Sequence, residues 1–370
     1  MILRAAFFVC LVGGAALAQT DPSAAAIAAA DRLEEAGAAL AAADGRSDRI
    51  AALTQTVRAY EDGLVTLRDG LRRAAIRQRT LEDDLAARSD EVARLLGVLQ
   101  TMGRAPAPLL LLHPSGPTGT ARAGMMLSDV TPGLQAEVDI LRSQLDEVAA
   151  LRDLQNRAAD LLGKGLAGAQ EARTKLSAAI SDRTDLPQRY TEDAVQTALL
   201  VASTETLDAF ASGLLRAVDG GAAPLDATVA GGLALPVQGT LLRGYEQADA
   251  AGITRPGVLI AARPRALVTT PGAATVRYRG PLLDYGNVTI LEPAADVLWV
   301  FAGMAEVFGE VGQVLPAGSP VGLMGGETPA VDTILSETAQ GVTGSQTQTL
   351  YLEVREGQSP VDPATWFAVE

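Results

Sequence analysis

A repeat of apolar residues spaced alternately three and four positions apart limits the fold of the first half of the chain most strongly. It comprises Ile50, Leu53, Val57, Tyr60, Leu64, Leu67, Leu71 and Ala74, and continues in register through Leu81, Leu85, Val92, Leu95, Leu99 and Met102. Such spacing places one apolar seam on a helix, which must be covered by a partner helix. It predicts a coiled-coil helix about 80 Å long, at about 1.5 Å per residue.

Glycine and prolines interrupt this repeat before a second one begins. After Gly103, prolines stand at 106, 108, 114 and 117, and the second repeat comprises Leu134, Val138, Leu141, Leu145 and Val148. Two helical arms around such a break indicate a long antiparallel coiled-coil hairpin over residues 24–186, with its tip at 103–133. An intermolecular coiled coil stays open. The apolar runs 109–112 and 125–127 either cover each other or form an exposed docking surface.

A shorter amphipathic segment follows Pro187 and is predicted as one helix over residues 187–219. Thr191 is a candidate N-cap, with Glu192 and Asp193 in the first turn, where acidic side chains favour a helix. One face of this helix carries four apolar residues, Leu207, Phe210, Leu214 and Val218. Such a stripe is typical of a helix that packs against another part of the same protein.

The composition changes at about residue 231, from rich in Ala, Leu, Arg, Asp and Glu to rich in Gly, Val, Thr and Pro. We place a linker at 220–232, where the run Gly–Gly–Ala–Ala–Pro occurs. Beyond it, short apolar runs separated by turns, with no helical-length segment between them, predict a compact, mainly antiparallel β domain over 233–370. The predicted strands are Val258–Ile260, Thr275–Arg279, Asn287–Leu291, Val297–Phe301, Val321–Met324 and Thr349–Val354.

The first residues predict export, and the charge argues against nucleic acid. Residues 1–18 combine Arg4, a short apolar run and small residues at 16–18, as a cleaved signal peptide does. Cys10 would leave with that peptide, so we expect no disulfide. The formal net charge of −14 disfavours a phosphate-backbone partner, because nucleic-acid binders usually carry clustered Lys and Arg.

Short motifs in a fixed order run through the β half. They are Leu235–Pro236, Gly239, Tyr245, Gly257, Tyr285–Gly286, Val311–Val314, Ala317–Gly318, Val321–Gly322, Leu350–Arg355, Val361–Pro363 and Trp366. Together they resemble the LytM or lysostaphin-type domain of cell-wall zinc endopeptidases. The resemblance implies a LytM-like fold built on a duplicated hybrid motif.

The zinc ligands of an active LytM domain are missing from the matching positions. That family holds zinc with a His and an Asp of an HxxxD motif and a His of an HxH motif, and catalytic zinc typically takes three protein ligands. The corresponding residues here are Arg255, Leu259, Thr349 and Tyr351, and Gly303 stands where a further active-site His belongs. The one histidine of the chain is His113, in the proline-rich segment. We therefore expect no bound metal, no cofactor and no catalytic residue.

A signal peptide, a coiled coil and a degenerate LytM domain, in this order, resemble the EnvC family of murein hydrolase activators, with its alphaproteobacterial members in particular. The resemblance implies a non-catalytic protein of the Gram-negative periplasm. Its degenerate domain would bind a zinc-dependent N-acetylmuramoyl-L-alanine amidase and relieve the inhibition by that enzyme's own autoinhibitory helix. The coiled coil would dock on the FtsEX complex, which couples septal peptidoglycan hydrolysis to division, and contact with peptidoglycan itself is compatible with this role.

The same resemblance implies which residues serve the amidase. Tyr285, Tyr351 and Arg355 match positions of the family's amidase-binding groove, and we expect Arg255 to supply a positive charge beside Pro256, where relatives often carry Lys. Ordinary sheet packing is the alternative for both tyrosines. The 187–219 helix would be regulatory, covering the groove until the coiled coil is pulled or bent.

Three alternatives remain at this point. The chain could be an active endopeptidase with atypical ligands, a periplasmic adaptor that combines a hairpin with β domains, or a structural spacer. Adaptors of that kind split a β module around the hairpin, whereas residues 20–50 are Ala-rich.

Overall fold

The computed structural model describes residues 46–90, 93, 94, 97, 100, 116–183, 187–189, 194–217, 231–248, 252–340 and 347–368. Several predicted features lie outside these residues. They are the signal peptide at 1–18, the first part of the tip with His113, the N-cap Thr191, Val218 and most of the linker at 220–232. None of the described helices combines the length and the apolar character that a membrane span requires.

The described helices precede and interrupt a single antiparallel sheet. The helices are α1 (Arg46–Ala87), α2 (Gly116–Ser181), α3 (Ala194–Ser203), α4 (Leu207–Ala217) and α5 (Val331–Gln340). The strands are β1 (Gly239–Arg243), β2 (Val258–Ala262), β3 (Leu267–Thr269), β4 (Ala274–Pro281), β5 (Asn287–Ala294), β6 (Val297–Val307), β7 (Val314–Leu315), β8 (Pro320–Met324), β9 (Gln348–Glu356) and β10 (Ser359–Val361). A helical region therefore precedes an antiparallel β domain, as predicted.

The first two helices pack against each other in opposite directions. Ion pairs join α1 and α2 at Glu61–Arg173, 2.8 Å apart, and at Arg77–Glu147, 2.7 Å apart. The later residue of α1 pairs with the earlier residue of α2, so the two helices are antiparallel. The predicted seam of α1 is buried at Ile50, Leu53, Val57, Leu64, Leu67, Leu71, Ala74 and Leu81. The complete coiled-coil hairpin stays a prediction, because residues 101–115 lie outside the described residues.

The predicted tip is too long at its C-terminal end. Residues 116–133, which we placed in the tip, belong to α2, and Pro132 lies inside that helix. Pro117 is tolerated because it falls in the first helical turn, whose N–H groups have no intrahelical partner. Good helix formers between the two prolines are confined to 121–127, where Ala, Arg, Met and Leu occupy six of the seven positions. Further along, Leu145 of the predicted seam is 52 % exposed, so the second repeat does not mark the covered face as cleanly as the first.

The predicted single helix over 187–219 is wrong, because two helices occupy its described part. The helix is interrupted between Ser203 and Leu207. Thr204 Oγ1 donates to the carbonyl of Leu200 at 2.8 Å, and the N–H of Ala209 donates to Thr206 Oγ1 at 3.1 Å. Hydroxyl side chains thus satisfy backbone groups at the end of α3 and the start of α4, which makes two short helices stable in place of one.

The sheet runs in the order β1-β2-β9-β6-β5-β4-β7. In addition, β10 pairs with β9, β8 pairs with β6, and β3 pairs with β8. The six predicted strands are confirmed, at β2, β4, β5, β6, β8 and β9. One side of the sheet buries a core around Trp299, Phe301 and Leu352. The other side buries a second cluster that includes Tyr278, Ile290 and Val300, and this side carries α4.

Five elements of the β half escaped prediction. The strands β3, β7 and β10 are only two or three residues long, too short for a periodic signal, and the five-residue β1 was missed as well. The helix α5 contradicts our expectation that no helical segment interrupts the strands. Its Ile334 is buried against Leu64, Leu67 and Leu71 of α1, so packing against another domain stabilises a helix that its own sequence signals weakly.

The base of the helical region is attached to the β domain. Apolar residues of α1 and α2, including Leu53, Val57 and Leu176, share a buried cluster with Leu267, Phe308 and Leu323. Glu61 Oε1 accepts hydrogen bonds from both Arg173 and the backbone N–H of Leu267, at 2.8 and 3.0 Å. Burial raises the pKa of Glu61 above its ordinary value, and Arg173 opposes that shift.

Candidate functional site

Helix α4 covers one side of the sheet. Its Leu207, Phe210 and Leu214, three of the four residues of the predicted apolar face, are buried against it. Phe210 makes an edge-on contact with Tyr278, with ring centroids 4.7 Å apart. We call this side of the sheet the α4-covered face.

A row of alternating residues on β9 extends beneath α4. Tyr351, Glu353 and Arg355 point to the same side because side chains alternate along a strand. Tyr351 Oη donates to Glu353 Oε2 at 2.6 Å, and Arg355 Nη1 donates to Glu353 Oε1 at 2.8 Å. All three side chains are buried. We call them the Tyr–Glu–Arg row.

Arg355 connects this row to α4. Its Nη2 donates to Asp208 Oδ1 in the first turn of α4 and to the carbonyl of Gln358, both at 2.6 Å. Arg355 is fully buried, whereas the side chain of Asp208 is 65 % exposed. The first turn of α4 is therefore held by a buried cation, but the carboxylate that accepts from it remains in contact with water.

The row has perturbed acid–base properties with clear causes. Burial raises the pKa of Glu353 above its ordinary value, and hydrogen bonds from Tyr351 and Arg355 oppose this shift. Burial followed by the neighbouring Glu353 raises the pKa of Tyr351, so its hydroxyl stays protonated and donates. Burial would lower the pKa of Arg355, but its bonds to Glu353 and Asp208 outweigh burial and raise it.

Two of the positions matched to zinc ligands in the sequence are neighbours on the α4-covered face. Leu259 of β2 and Tyr351 of β9 are directly paired across the sheet. Thr349 is exposed and is paired with Ala261, and Arg255 is exposed just before β2. Gly303 has a φ of 95°, and a Cβ there would lie 2.6 Å from the carbonyl of Thr349, so no histidine fits without backbone movement.

These residues do not fit a zinc ion. Leu259 offers no donor atom, Arg255 is a cation, and the Tyr351 hydroxyl already donates to Glu353. Zinc in proteins is bound by thiolate, imidazole or carboxylate groups. Across the part of the chain that the structure describes, there is no cluster of three or more His, Cys, Asp or Glu residues suited to a metal.

The structure brings three of the four predicted groove residues together. The guanidinium carbon of Arg255 lies 5.7 Å from the centre of the Tyr285 ring, and the rings of Tyr285 and Tyr351 are 5.7 Å apart. Arg255 and Tyr285 reach solvent, whereas Tyr351 is buried. Arg355 differs from the prediction, because α4 and its acidic partners bury it. The outer part of this group is thus a small surface made of Arg255 and Tyr285.

Sequence reasoning missed the two carboxylates that hold Arg355. Glu353 lies between Tyr351 and Arg355 with a spacing of two, and a charged residue at an inward position of a buried strand could have indicated an internal ion pair. Asp208 gave no comparable signal, because an acidic residue in the first turn of a helix is ordinary.

Comparison with known proteins gives one family and several solved structures. The family model Peptidase family M23 matches residues 254–363. The chain is similar to Csd3 from Helicobacter pylori, at 18 % identity and a TM-score of 0.29, over 38 % of this chain and 37 % of that one. It is similar to a putative peptidase M23 from Pseudomonas aeruginosa, at 18 % identity and a TM-score of 0.33, over 49 % and 64 %.

A third similar structure is the catalytic domain of the prophage-encoded M23 protein EnpA from Enterococcus faecalis. The identity is 17 % and the TM-score 0.28, over 38 % of this chain and 98 % of that domain. Identities and TM-scores this low carry no functional argument. The comparison with curated proteins finds no match.

The family match begins just before Arg255 and ends after β10, so it includes the positions of Leu259, Thr349 and Tyr351. Residues 254–363 of this chain form a domain of the M23 peptidase (LytM) type.

Proposed function

We propose that this protein is a non-catalytic activator of a zinc-dependent N-acetylmuramoyl-L-alanine amidase in the periplasm. In this proposal the M23-type domain binds the amidase, and the helical region docks as a coiled-coil hairpin on an FtsEX-like membrane complex. Peptidoglycan hydrolysis would then be coupled to division. The proposal joins the resemblance found in the sequence to two features of the α4-covered face.

The first feature is the replacement of the metal ligands, and it carries the non-catalytic part of the proposal. The paired positions Leu259 and Tyr351 contain no free donor for zinc, and Tyr351 is already engaged by Glu353. An M23-type domain without its metal retains a sheet surface on which a peptide can bind without being cleaved. Arg255 and Tyr285, at the exposed edge, are residue types that often dominate binding energy.

The second feature supports regulation of that binding. Helix α4 shares a buried cluster with Tyr351 and is hydrogen-bonded to Arg355, two of the residues assigned to the amidase groove. A partner that needs those residues must displace α4 first. We propose that a pull or bend transmitted through the helical region undocks α4 and opens the groove.

A reconstitution with a purified candidate amidase and labelled peptidoglycan tests the proposal. We expect no release of label by the protein alone and stimulation when the amidase is added. The Tyr285→Ala variant should stimulate less, because Tyr285 is half-buried at the proposed contact. Tyr245→Ala is a matched control, since Tyr245 is a half-buried tyrosine packed against the core on the other side of the sheet.

Metal analysis of the same sample separates this proposal from an active endopeptidase. Stoichiometric zinc together with release of label in the absence of amidase would overturn the non-catalytic assignment. A protein that leaves every amidase tested unaffected, with or without α4, would instead support a structural spacer.

A further inference from the structure

A large cleft lies between α1, the β1 edge of the sheet and α5, and none of the groove residues named above lines it. Its volume is about 1010 Å³, and its walls include Val65 of α1, Leu242 of β1 and Ile334 of α5. A smaller cavity of about 30 Å³ shares Arg68 and Arg263 with it, so these two residues mark the inner end of the cleft.

The inner end has more guanidinium groups than carboxylates to pair with them. Arg68, Arg173 and Arg263 line the small cavity, whereas Glu61 is the one carboxylate there among the described residues. Glu61 already accepts from Arg173 and from the N–H of Leu267. The buried Nε of Arg68 has no hydrogen-bond partner in the part of the chain that the structure describes. A buried donor without a partner is costly, so this end is suited to an incoming acceptor.

The pKa shifts of Arg68 and Arg263 also favour an anion at the inner end of the cleft. Burial and then repulsion from Arg263 lower the pKa of Arg68 to about 10, and Glu337 opposes that shift. Burial also lowers the pKa of Arg263, against the attraction of Glu61, Asp69 and Asp62. An anion beside the two guanidinium groups would relieve this repulsion.

The outer walls restrict what kind of anion fits. Asp69 and Glu337 line the cleft with Arg72, and Asp62 accepts a hydrogen bond from Gln238. These carboxylates would repel a ligand with several negative charges. A ligand with a single anionic group at its inner end and an uncharged body suits the cleft better.

The wall formed by β1 favours an extended peptide as that body. Among the described strands β1 pairs only with β2, so no described strand occupies its other edge. Gly239, Thr240 and Leu242 of β1 line the cleft, and Leu242 is 57 % exposed. A free strand edge offers backbone N–H and C=O groups to a second strand, which is a recurrent mode of peptide binding.

We propose that this cleft binds the C-terminus of an extended peptide, with its carboxylate against Arg68 and Arg263 and its backbone beside β1. None of the groove residues named above lines this site, and the proposal does not depend on amidase activation.

Titration calorimetry with N-acetyl-Ala-Ala-Ala tests this proposal directly. The free acid should bind at least about tenfold more tightly than its C-terminal amide, because charge-assisted hydrogen bonds are roughly twice as strong as neutral ones. Inorganic phosphate should bind more weakly than the acid. Equal binding of acid and amide would overturn the proposal, and phosphate binding as tight as that of the acid would overturn its peptide part.

Two variants and one control test whether the peptide binds at this cleft. Arg68→Met should weaken binding of the acid about tenfold. The thermal midpoint of this variant should be no lower than that of the parent protein, because the substitution removes a buried Nε that has no hydrogen-bond partner among the described residues. Arg73→Met, at an exposed position on α1 outside the cleft, is the control. Leu242→Asp replaces an exposed side chain in the cleft and should also weaken binding of the acid. Unchanged affinity in both Arg68→Met and Leu242→Asp would overturn the proposal.

Discussion

Two helical parts pack against the same β domain, and they are attached differently. The base of α1 and α2 is joined to it by apolar residues and by the buried Glu61, which pairs with Arg173 and accepts the backbone N–H of Leu267. Helix α4 is an eleven-residue segment joined by one apolar face, by a hydrogen bond from the buried Arg277 to the carbonyl of Leu214, and by an ion pair whose carboxylate remains mostly in water. From this comparison we propose that the helical base stays attached to the domain and that α4 is the part able to leave.

The largest effect is expected at the helical base. Glu61→Ala leaves Arg173 buried without its carboxylate, which should lower the free energy of unfolding by about 3–5 kcal/mol. Urea denaturation measures this loss. Glu147→Ala breaks an exposed pair with Arg77 and should cost at most about 1 kcal/mol. Similar losses in the two variants would contradict a buried attachment.

A smaller global effect is expected under α4. Phe210→Ala removes a fully buried ring, a change that costs about 3 kcal/mol or more in a fixed core. If α4 can leave, most of this loss appears as undocking of α4. Hydrogen exchange should then show lost protection in 207–217 while β6 and β9 keep theirs. Uniform loss across the sheet would make α4 an ordinary core element.

The ion pair of α4 should matter less than its apolar face. Asp208→Asn weakens the bond to Arg355, whose other partners Glu353 and Gln358 remain. Because Asp208 is mostly exposed, we expect a cost of only about 0.5–1 kcal/mol to the docking of α4. Glu205→Gln, an exposed change just before α4, is the control in the same exchange experiment. An effect of Asp208→Asn as large as that of Phe210→Ala would show that the charge holds the helix.

The smallest effect concerns pH. The pKa of Glu353 is raised in the folded protein, so between its ordinary value of 4.5 and the raised value the folded state holds more protons than the unfolded chain. The stability contributed by this group is therefore full below 4.5 and is lost as the pH rises through the folded pKa. The difference in unfolding free energy between the parent and Glu353→Gln should shrink in that direction. A difference that grows with pH would reverse the assigned shift.

The sequence predicts long-range periodicity well and local context poorly. The seam from Ile50 to Leu81 follows from its spacing, because burial on one side imposes a period, and the six predicted strands follow from apolar runs between turn residues. Helix α5 could not be predicted in this way, since Ile334 becomes a core residue only when the helical base packs on it. The break at Thr204–Thr206 was missed because hydroxyl caps compete with helix continuation at short range.

The candidate site shows the same limit. Pairing Leu259 with Tyr351 requires the register of β2 and β9, and the resemblance to the LytM domain supplied it indirectly. Arg355 was expected at a surface because its sequence position gives no information on burial. Its burial depends on Asp208, which is 147 residues away in the sequence.

If α4 covers a surface that an amidase needs, undocking α4 should increase activation, and stimulation of a purified amidase by the Phe210→Ala variant measures this increase. We expect greater stimulation at equal protein concentration than with the parent, and loss of that gain when Tyr285→Ala is added. Stimulation that is unchanged or lower in a folded Phe210→Ala variant would contradict it.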